Sequence, residues 1–457
     1  MRLHRRALLI ASASALAACA VKPAMNEYPP IVFVHGNGDN AALWMTTIWR
    51  FESSGWPRDR LHAIDVPYPL ARDDDTKPEP GRSGTAEHMA FLKSEVDKVM
   101  KATGAAKVVL IGNSRGGNAI RNYIQNGGGG GTVSHAILGG TPNHGIWATK
   151  GFREANEFSG TGPFLTTLNA PKNAAGDEVT GPVKWMTVRS DNNDKYAQPD
   201  GLWIGAKGTP TNVGYDGPAL KGAVNIVLPR ADHRETSFSP AAFEAAYSFI
   251  TGRASKSLEI VPEPQLVLNG KISGLGLDPQ DPKSGSFANN LALAGAAVTV
   301  FAVDAGTGER KGAAVHARTT SADGMWGPFS AQPGVSYEFV IAAPGYATSH
   351  IYRSPFARSS QVVHLRAERI AEPDKAAGAI VTLTRPRGYL DPGRDRMAFD
   401  GATTLQGVLP GAGVSSSKLR LPAAASRPVE GLFNGEKLTG RTWPAADGHT
   451  STLELTY

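Results

Sequence analysis

The chain has 457 residues, a length that exceeds one compact core and predicts two or three domains. Its composition is that of a globular protein, with 41% hydrophobic and 19% charged residues. The formal net charge is +6, and three of the basic residues, Arg2, Arg5 and Arg6, lie in the amino-terminal leader. This balance gives no reason to expect a nucleic-acid partner.

Residues 1–20 have the pattern of an export signal, with arginines followed by an apolar run over 7–18 that is too short to span a bilayer. The run ends in Leu16-Ala17-Ala18-Cys19, which resembles a bacterial lipobox, in which the cysteine is acylated and becomes the mature amino terminus. Ordinary cleavage after Ala18-Cys19-Ala20 fits the same residues. Cys19 is the only cysteine, so an intramolecular disulfide is excluded. We predict export, either to the outer membrane through an acylated Cys19 or as a periplasmic or secreted protein.

Strands and helices alternate over the first half of the chain. Apolar runs predict strands over 31–34, 60–67 and 108–111, and helices are predicted over 41–51 and 86–103. Further strands are predicted over 133–138, 183–188 and 223–228, and a helix over 241–250 closes this part. The alternation predicts an α/β domain over 27–254, with a mostly parallel sheet and helices on both faces.

The most informative stretch is the run from Lys107 to Ile120, in which Gly112-Asn-Ser114-Arg-Gly116 has the form G-x-S-x-G between a strand and a helix. The two glycines suit a turn so tight that a Cβ would clash, and the turn lifts Ser114 out as a nucleophile. Acyl transfer needs two fixed N–H donors for the oxyanion. We expect them from the backbone of Arg115 and of Asn37, which lies in the His-Gly loop after the first strand.

Ionisable residues follow the last two predicted strands of this domain. The aspartates after residue 188 are Asp191, Asp194 and Asp200, and His233 follows residue 228. The order Ser, Asp, His is the one expected of α/β-hydrolases, and side chains on loops after parallel strands converge at one edge of the sheet. The intervening residues 146–180 suit either a lid over that edge or simple packing on the sheet.

The first 250 residues resemble the bacterial class 2 lipases and the fungal lipase B type of α/β-hydrolase. In those enzymes an I-Y-S-x-x-D-x-x-V-Q-P segment supplies the catalytic acid and a D-H segment the histidine. This chain has Val188-Arg-Ser-Asp-Asn-Asn-Asp194-Lys-Tyr-Ala-Gln-Pro199 and Asp232-His233, with one extra residue before Asp194. The resemblance implies Asp194 as the acid and leaves Asp191 and Asp200 as alternatives. It implies no metal and no cofactor.

After residue 258 the sequence consists of short β-rich runs separated by turns. This pattern predicts a β-sandwich over 258–370 and a second all-β region over 371–457. The first of these resembles carboxypeptidase-regulatory-like modules. An α/β-hydrolase core followed by an all-β region also resembles an archaeal group of long-chain lipases, in which that region helps to bind acyl chains.

Together these features predict an exported serine hydrolase that cleaves carboxylic esters, a lipase or an esterase, with an ester or lipid as its substrate. Two alternatives stay open. One is a depolymerase of extracellular polyesters, and the other is a surface protein that binds through its β domains and does not catalyse.

Overall fold

The computed structural model describes residues 28–191, 193–197, 208–214, 216–277 and 287–457. The leader, Cys19 and Asp200 therefore lie outside the described residues. None of the helices within these ranges combines the length and the apolar character needed to span a membrane.

The first half of the chain is the predicted α/β domain, which confirms the fold class. Its elements are β1 (Ile31–Val34), α1 (Met45–Ser53), β2 (Leu61–Ile64), β3 (Leu70–Ala71), β4 (Arg82–Ser83), α2 (Thr85–Thr103), β5 (Val108–Asn113), α3 (Arg115–Asn126), β6 (Val133–Gly139), α4 (Pro163–Leu168), β7 (Lys184–Ser190), β8 (Val224–Leu228), α5 (Glu235–Phe238) and α6 (Pro240–Thr251). Six strands form one parallel sheet in the order β2-β1-β5-β6-β7-β8, and β5 lies near its centre.

Strand β1 and the first four residues of β5 are apolar at every position because both faces of the sheet are covered. In β1, Val32 and Val34 join the core under α2 and α3, whereas Ile31 and Phe33 face the core that contains α1 and α6. Parallel sheets covered on both faces favour such continuous apolar runs over an alternating pattern.

Residues 258–457, which we call the β region, contain the remaining strands. These are β9 (Leu266–Leu268), β10 (Ile272–Gly274), β11 (Ala297–Val303), β12 (His316–Thr319), β13 (Phe329–Ala331), β14 (Ser336–Ala342), β15 (Thr348–Arg353), β16 (Leu365–Ala367), β17 (Ala379–Thr384), β18 (Met397–Phe399), β19 (Ser416–Leu421), β20 (Pro428–Phe433), β21 (Glu436–Arg441) and β22 (His449–Glu454).

One seven-stranded sheet runs through the β region in the order β12-β11-β14-β15-β22-β17-β19. It takes strands from both sides of residue 370, so the two predicted β regions share one sheet. The physical reason is that β22 pairs in parallel with β15 on one side and with β17 on the other. Short sheets, β13-β9, β10-β16 and β18-β20-β21, accompany the large one.

Helix α1 joins the two halves of the molecule. Met45 and Trp49 belong to the hydrophobic core of the β region, and Phe51 of the same helix belongs to the core of the α/β domain. The indole N–H of Trp49 also donates to the carbonyl of Ser359 at 2.9 Å. The α/β domain and the β region are therefore packed together through a helix that has two apolar faces.

Candidate active site

Ser114 lies at the turn between β5 and α3 in a strained backbone conformation, with φ 52° and ψ −120°. A non-glycine residue in this region costs about 1–3 kcal/mol and persists only where its surroundings enforce it. The Ser114 N–H donates to the carbonyl of Gly139 at 2.8 Å, and its own carbonyl accepts from Gly117. The chain therefore adopts the tight elbow that the motif predicts, with Ser114 at the carboxyl end of a central strand.

The glycines of the elbow permit a close approach of β1. A Cβ on Gly116 would lie 2.5 Å from the carbonyl oxygen of Val34 and 2.6 Å from that of His35. A Cβ on Gly36 would lie 3.0 Å from the Cβ of Ser114. The loop after β1 thus passes directly beside Ser114, where the proposed donor Asn37 was expected.

Two backbone N–H groups flank this point. Arg115 is the first residue of α3, and the first N–H groups of a helix have no partner within it. Asn37 is fixed by its side chain, whose Oδ1 accepts from the N–H of Ala71 at 2.7 Å. Among the described residues, no acceptor is found for the Asn37 N–H. Both groups are therefore available to a ligand beside Ser114.

His233 and Asp194 are hydrogen-bonded to each other. The Nδ1 of His233 lies 2.7 Å from Oδ2 of Asp194, and both side chains are buried. Burial strengthens this interaction because the dielectric constant is low there. With its Nδ1 engaged by the carboxylate, His233 has an Nε2 that forms no hydrogen bond to any of the described residues and can act towards a substrate.

Asp191 is directed elsewhere. Its two oxygens accept from the backbone N–H groups of Asn193 and Arg230, at 3.0 and 2.9 Å, and from the hydroxyl of Ser190. This carboxylate therefore closes the turn after β7. Of the three aspartates considered from the sequence, the structure brings Asp194 to His233, and Asp200 lies outside the described residues.

Asn113, which the sequence analysis did not single out, links the elbow to the histidine loop. Its side-chain amide donates to the carbonyl of His233 at 3.3 Å and to the hydroxyl of Ser237 at 2.8 Å. No sequence signal distinguishes it from any other polar residue in G-x-S-x-G. Its position, immediately before Ser114, gives the loop of His233 a direct connection to the strand that ends at Ser114.

His35 is a structural residue. Its Nε2 accepts the N–H of Val66 at 3.0 Å, and its Nδ1 lies 2.9 Å from the carbonyl of Gly36. Burial lowers the pKa of His35, which favours the neutral ring that these two bonds require. The ring fixes the loop of Asn37 to the end of β2.

A cleft of about 180 Å³ opens between Asn37 and Tyr196, and the Tyr196 ring packs edge-on against the His233 ring, with 4.6 Å between the ring centres. Its walls include Ile146, Trp147 and Phe158 from the segment predicted as a lid or a packed wall. The cleft therefore borders the Asn37 loop directly, and it borders His233 through the ring of Tyr196.

A buried ion pair fixes the segment that contributes this wall. The guanidinium of Arg115 binds both oxygens of Glu157 at 2.8 Å, and both side chains are inaccessible to solvent. The same guanidinium donates to the carbonyls of Pro69 and Ser83. Removing one partner of such a pair is strongly destabilising, because the other charge is left buried alone. Residues around Glu157 are thus fixed as a wall of the cleft.

A strained serine at the end of a central parallel strand, next to a hydrogen-bonded His–Asp pair, defines an α/β-hydrolase. Comparison with known families agrees: residues 28–161 match the class 2 lipase family, and residues 264–370 match the lipase C-terminal domain. The chain therefore combines an α/β-hydrolase core that matches class 2 lipases with a region that matches the lipase C-terminal domain, which are the features of a carboxylic ester hydrolase.

Solved structures of lipases are among those similar to the chain. The propeptide form of the Bacillus licheniformis lipase BlEst2 is 14% identical, with a TM-score of 0.36, over 91% of this chain and 93% of that one. Lipase B of Aspergillus fumigatus is 13% identical, with a TM-score of 0.36. That alignment covers 51% of this chain and 54% of lipase B, so it spans about half of each protein.

Proposed function

We propose that the protein cleaves carboxylic esters through an acyl-enzyme formed on Ser114, with His233 as the general base and Asp194 as its partner. The observation that carries this proposal is the 2.7 Å hydrogen bond between His233 and Asp194 beside the strained Ser114 elbow. A serine hydroxyl is a weak nucleophile until an oriented base takes its proton. The Asp194 carboxylate would supply that orientation by holding the proton of His233 on Nδ1.

The reaction follows in two halves. Ser114 Oγ attacks the ester carbonyl while His233 Nε2 takes its proton, and the N–H groups of Asn37 and Arg115 stabilise the oxyanion. Each such donor is worth about 3 kcal/mol of barrier in comparable sites. His233 then returns the proton to the departing alcohol, and a water molecule activated by the same ring releases the carboxylic acid.

Covalent labelling with a fluorophosphonate probe tests the proposal against the alternative of a binding protein without catalysis. The wild-type chain should gain one phosphonyl group, found on Ser114 by peptide mass spectrometry. Ser114→Ala, which leaves the rest of the elbow in place, should gain none. A folded wild-type protein that stays unlabelled would favour the binding alternative.

The substrate class is tested separately. We expect hydrolysis of nitrophenyl esters, and a chain-length series measured beside an emulsified triglyceride distinguishes an esterase from a lipase. Particles of an aliphatic polyester, assayed in parallel for release of soluble acid, test the depolymerase alternative.

We also propose that the protein is exported and anchored through an acylated Cys19, on the strength of the arginine-led apolar leader and the Leu-Ala-Ala-Cys sequence. The acyl chains would contribute about 0.8 kcal/mol of membrane binding for each buried methylene. Wild-type protein should partition into a detergent-rich phase, and Cys19→Ser should stay in the aqueous phase. An unmodified mature amino terminus at Val21, found by mass spectrometry, would contradict the anchor.

A further inference from the structure

The residues on either side of His233 are bound by side chains from the far end of the chain. Asp232 is completely buried, and its carboxylate faces Arg385 and Tyr389 of the β region. More than 150 residues of sequence separate these groups from the histidine loop.

The two oxygens of Asp232 have different partners. Oδ1 accepts the N–H groups of Arg234 and Glu235, both at 2.9 Å, and so shapes the turn that carries His233. Oδ2 accepts from Nη1 of Arg385 at 2.7 Å and from the N–H of Tyr389 at 2.8 Å. One carboxylate therefore connects the backbone around His233 to the β region.

Arg385 is placed to hold this carboxylate in a fixed direction. Its Nη2 binds Oε1 of Glu235 at 2.6 Å, while Nη1 also donates to the carbonyl of Tyr389 and Nε to that of Tyr457. The planar guanidinium thus binds both Asp232 and Glu235, the acidic residues on either side of His233 and Arg234. A guanidinium fixes the direction of such hydrogen bonds better than a point charge does.

The charge of Asp232 depends on these contacts. Burial alone would raise the pKa of its carboxyl, but the guanidinium of Arg385, with that of Arg394, holds this pKa below its ordinary value. Without Arg385, the carboxylate would lose its strongest counter-charge in a site that water does not reach. The turn around His233 would then lose the acceptor that organises it.

A second set of contacts places Tyr389 between the loops of the proposed triad. Its ring packs under the guanidinium of Arg234, at 4.6 Å, and under the ammonium of Lys195, at 4.3 Å. Lys195 follows Asp194 directly, and Arg234 follows His233. Arg234 also binds the carboxylate of Asp39, in the loop of Asn37.

We propose that Arg385 is a positioning residue for catalysis, which holds the His233 turn in register with Asp194 and Ser114 through the Asp232 carboxylate. This inference rests on the proposed function of Ser114 and His233. It assigns to the β region a part in the chemical step, separate from any part in binding substrate.

The test compares three variants of the full chain. Arg385→Ala removes the guanidinium. Gly388→Ala keeps it but displaces it, because a Cβ at residue 388 would overlap the Arg385 side chain. Arg387→Ala is the matched control, since this buried arginine lies two residues away and binds the carbonyls of Leu455 and Thr456 within the β region.

The primary measurement is the rate constant of phosphonylation of Ser114. The second is kcat and KM on a soluble nitrophenyl ester. The enzyme concentration used for kcat is the amount of protein that the probe labels at completion. We expect roughly a 10- to 100-fold loss of kcat and of the labelling rate in Arg385→Ala, because small misplacements of reacting groups cost about this much. KM should change little. Gly388→Ala should show the same loss in smaller degree, and Arg387→Ala should react at close to the wild-type rate.

Guanidinium ion, added well below the concentration that unfolds the protein, should restore part of the labelling rate to Arg385→Ala but not to Arg387→Ala. A wild-type labelling rate in Arg385→Ala, or an equal loss in both arginine variants, would overturn the positioning role while leaving the triad intact. A wild-type protein that is never labelled at Ser114 would overturn the proposed function and this inference together.

Discussion

The elbow of Ser114 and the turn of His233 are held in different ways. The elbow takes its support from neighbouring elements of one sheet, through the carbonyl of Gly139 and the close approach of β1 to Gly116. The His233 turn is held from Asp194, from Asn113 and from Arg385, which lie far apart in sequence. Local geometry thus sets the conformation of Ser114, whereas tertiary packing of both halves of the chain sets the position of His233.

The largest expected effect comes from the elbow itself. Ser114→Ala should lower ester turnover by about 10⁶-fold, the loss found when the nucleophile of a serine triad is removed. Since alanine keeps the Cβ of serine, and with it the same backbone strain at this turn, the free energy of unfolding in urea should stay close to that of the wild type. A variant with even a tenth of wild-type turnover would show that the nucleophile lies elsewhere.

The next effect concerns the partner of His233. Asp194→Asn should cost about 10⁴-fold in turnover, because the amide would favour the wrong tautomer of the ring. Asp191→Asn is the matched control: it weakens a turn that accepts backbone N–H groups, so we expect roughly 1 kcal/mol of stability to be lost and little activity. Assays of both variants on one soluble ester show which aspartate is the catalytic acid. An active Asp194→Asn enzyme together with an inactive Asp191→Asn enzyme would transfer that role to Asp191.

A smaller effect is expected where the β region supports the loop of Asn37. The buried amide of Asn290 donates to the carbonyls of Asp39 and Val66, at 2.8 and 2.9 Å. Asn290→Ala leaves both acceptors without this donor, which costs about 1–3 kcal/mol in the free energy of unfolding. Because that loop carries a proposed oxyanion donor, kcat should fall as well.

The neighbouring Asn289 provides the control for that experiment. Its amide donates to Gly274 within the β region. Asn289→Ala should therefore lose stability without a matching loss of kcat in the folded enzyme. Equal kcat values for the two variants would remove Asn290 from the support of the Asn37 loop.

A further expected effect is a dependence of stability on pH that both halves share. Burial lowers the pKa of His35 and His88 in the α/β domain and that of His350 in the β region. Above about pH 6.5 each ring is neutral in the folded and in the unfolded protein. Below that pH the ring takes up a proton in the unfolded chain but stays neutral in the folded one. The free energy of unfolding should therefore fall between pH 7 and pH 5, by at most about 1.4 kcal/mol per pH unit for each histidine.

Urea unfolding at pH 7, 6 and 5 measures this slope. His88→Leu should reduce it, because the ring of His88 is buried and its Nε2 has no partner within the described chain. An unchanged slope in that variant would show that other groups bind the protons.

Much of the α/β domain could be predicted because its signals are local. Apolar runs predicted the strands of the parallel sheet, and the glycines around Ser114 predicted the elbow. The role of α1 could not be predicted in this way, since Met45 and Trp49 pack on a core built from strands more than 200 residues later. A helix that is apolar on two sides indicates burial without showing which partner covers each side.

The buried polar residues that support the site could not be predicted from the sequence either. Glu157 and Arg385 lie in stretches that have no motif, and an arginine in a sequence is expected at the surface. Their burial follows from charges that meet only in the folded chain. The sheet that joins strands from both sides of residue 370 could not be predicted either, because turn-separated strands do not reveal which sheet they join.

The position of β22 has a consequence for the order of events during synthesis. This strand, at residues 449–454, lies between β15 and β17, and Arg385 immediately follows β17. A nascent chain that has not yet extended past residue 454 cannot close the sheet beneath Arg385, and pairing over such sequence separations is slow. We therefore expect ester-cleaving competence to arise late, after the α/β domain has formed. Ribosome-bound chains that end before β22 should react with the fluorophosphonate probe more slowly than chains released at full length.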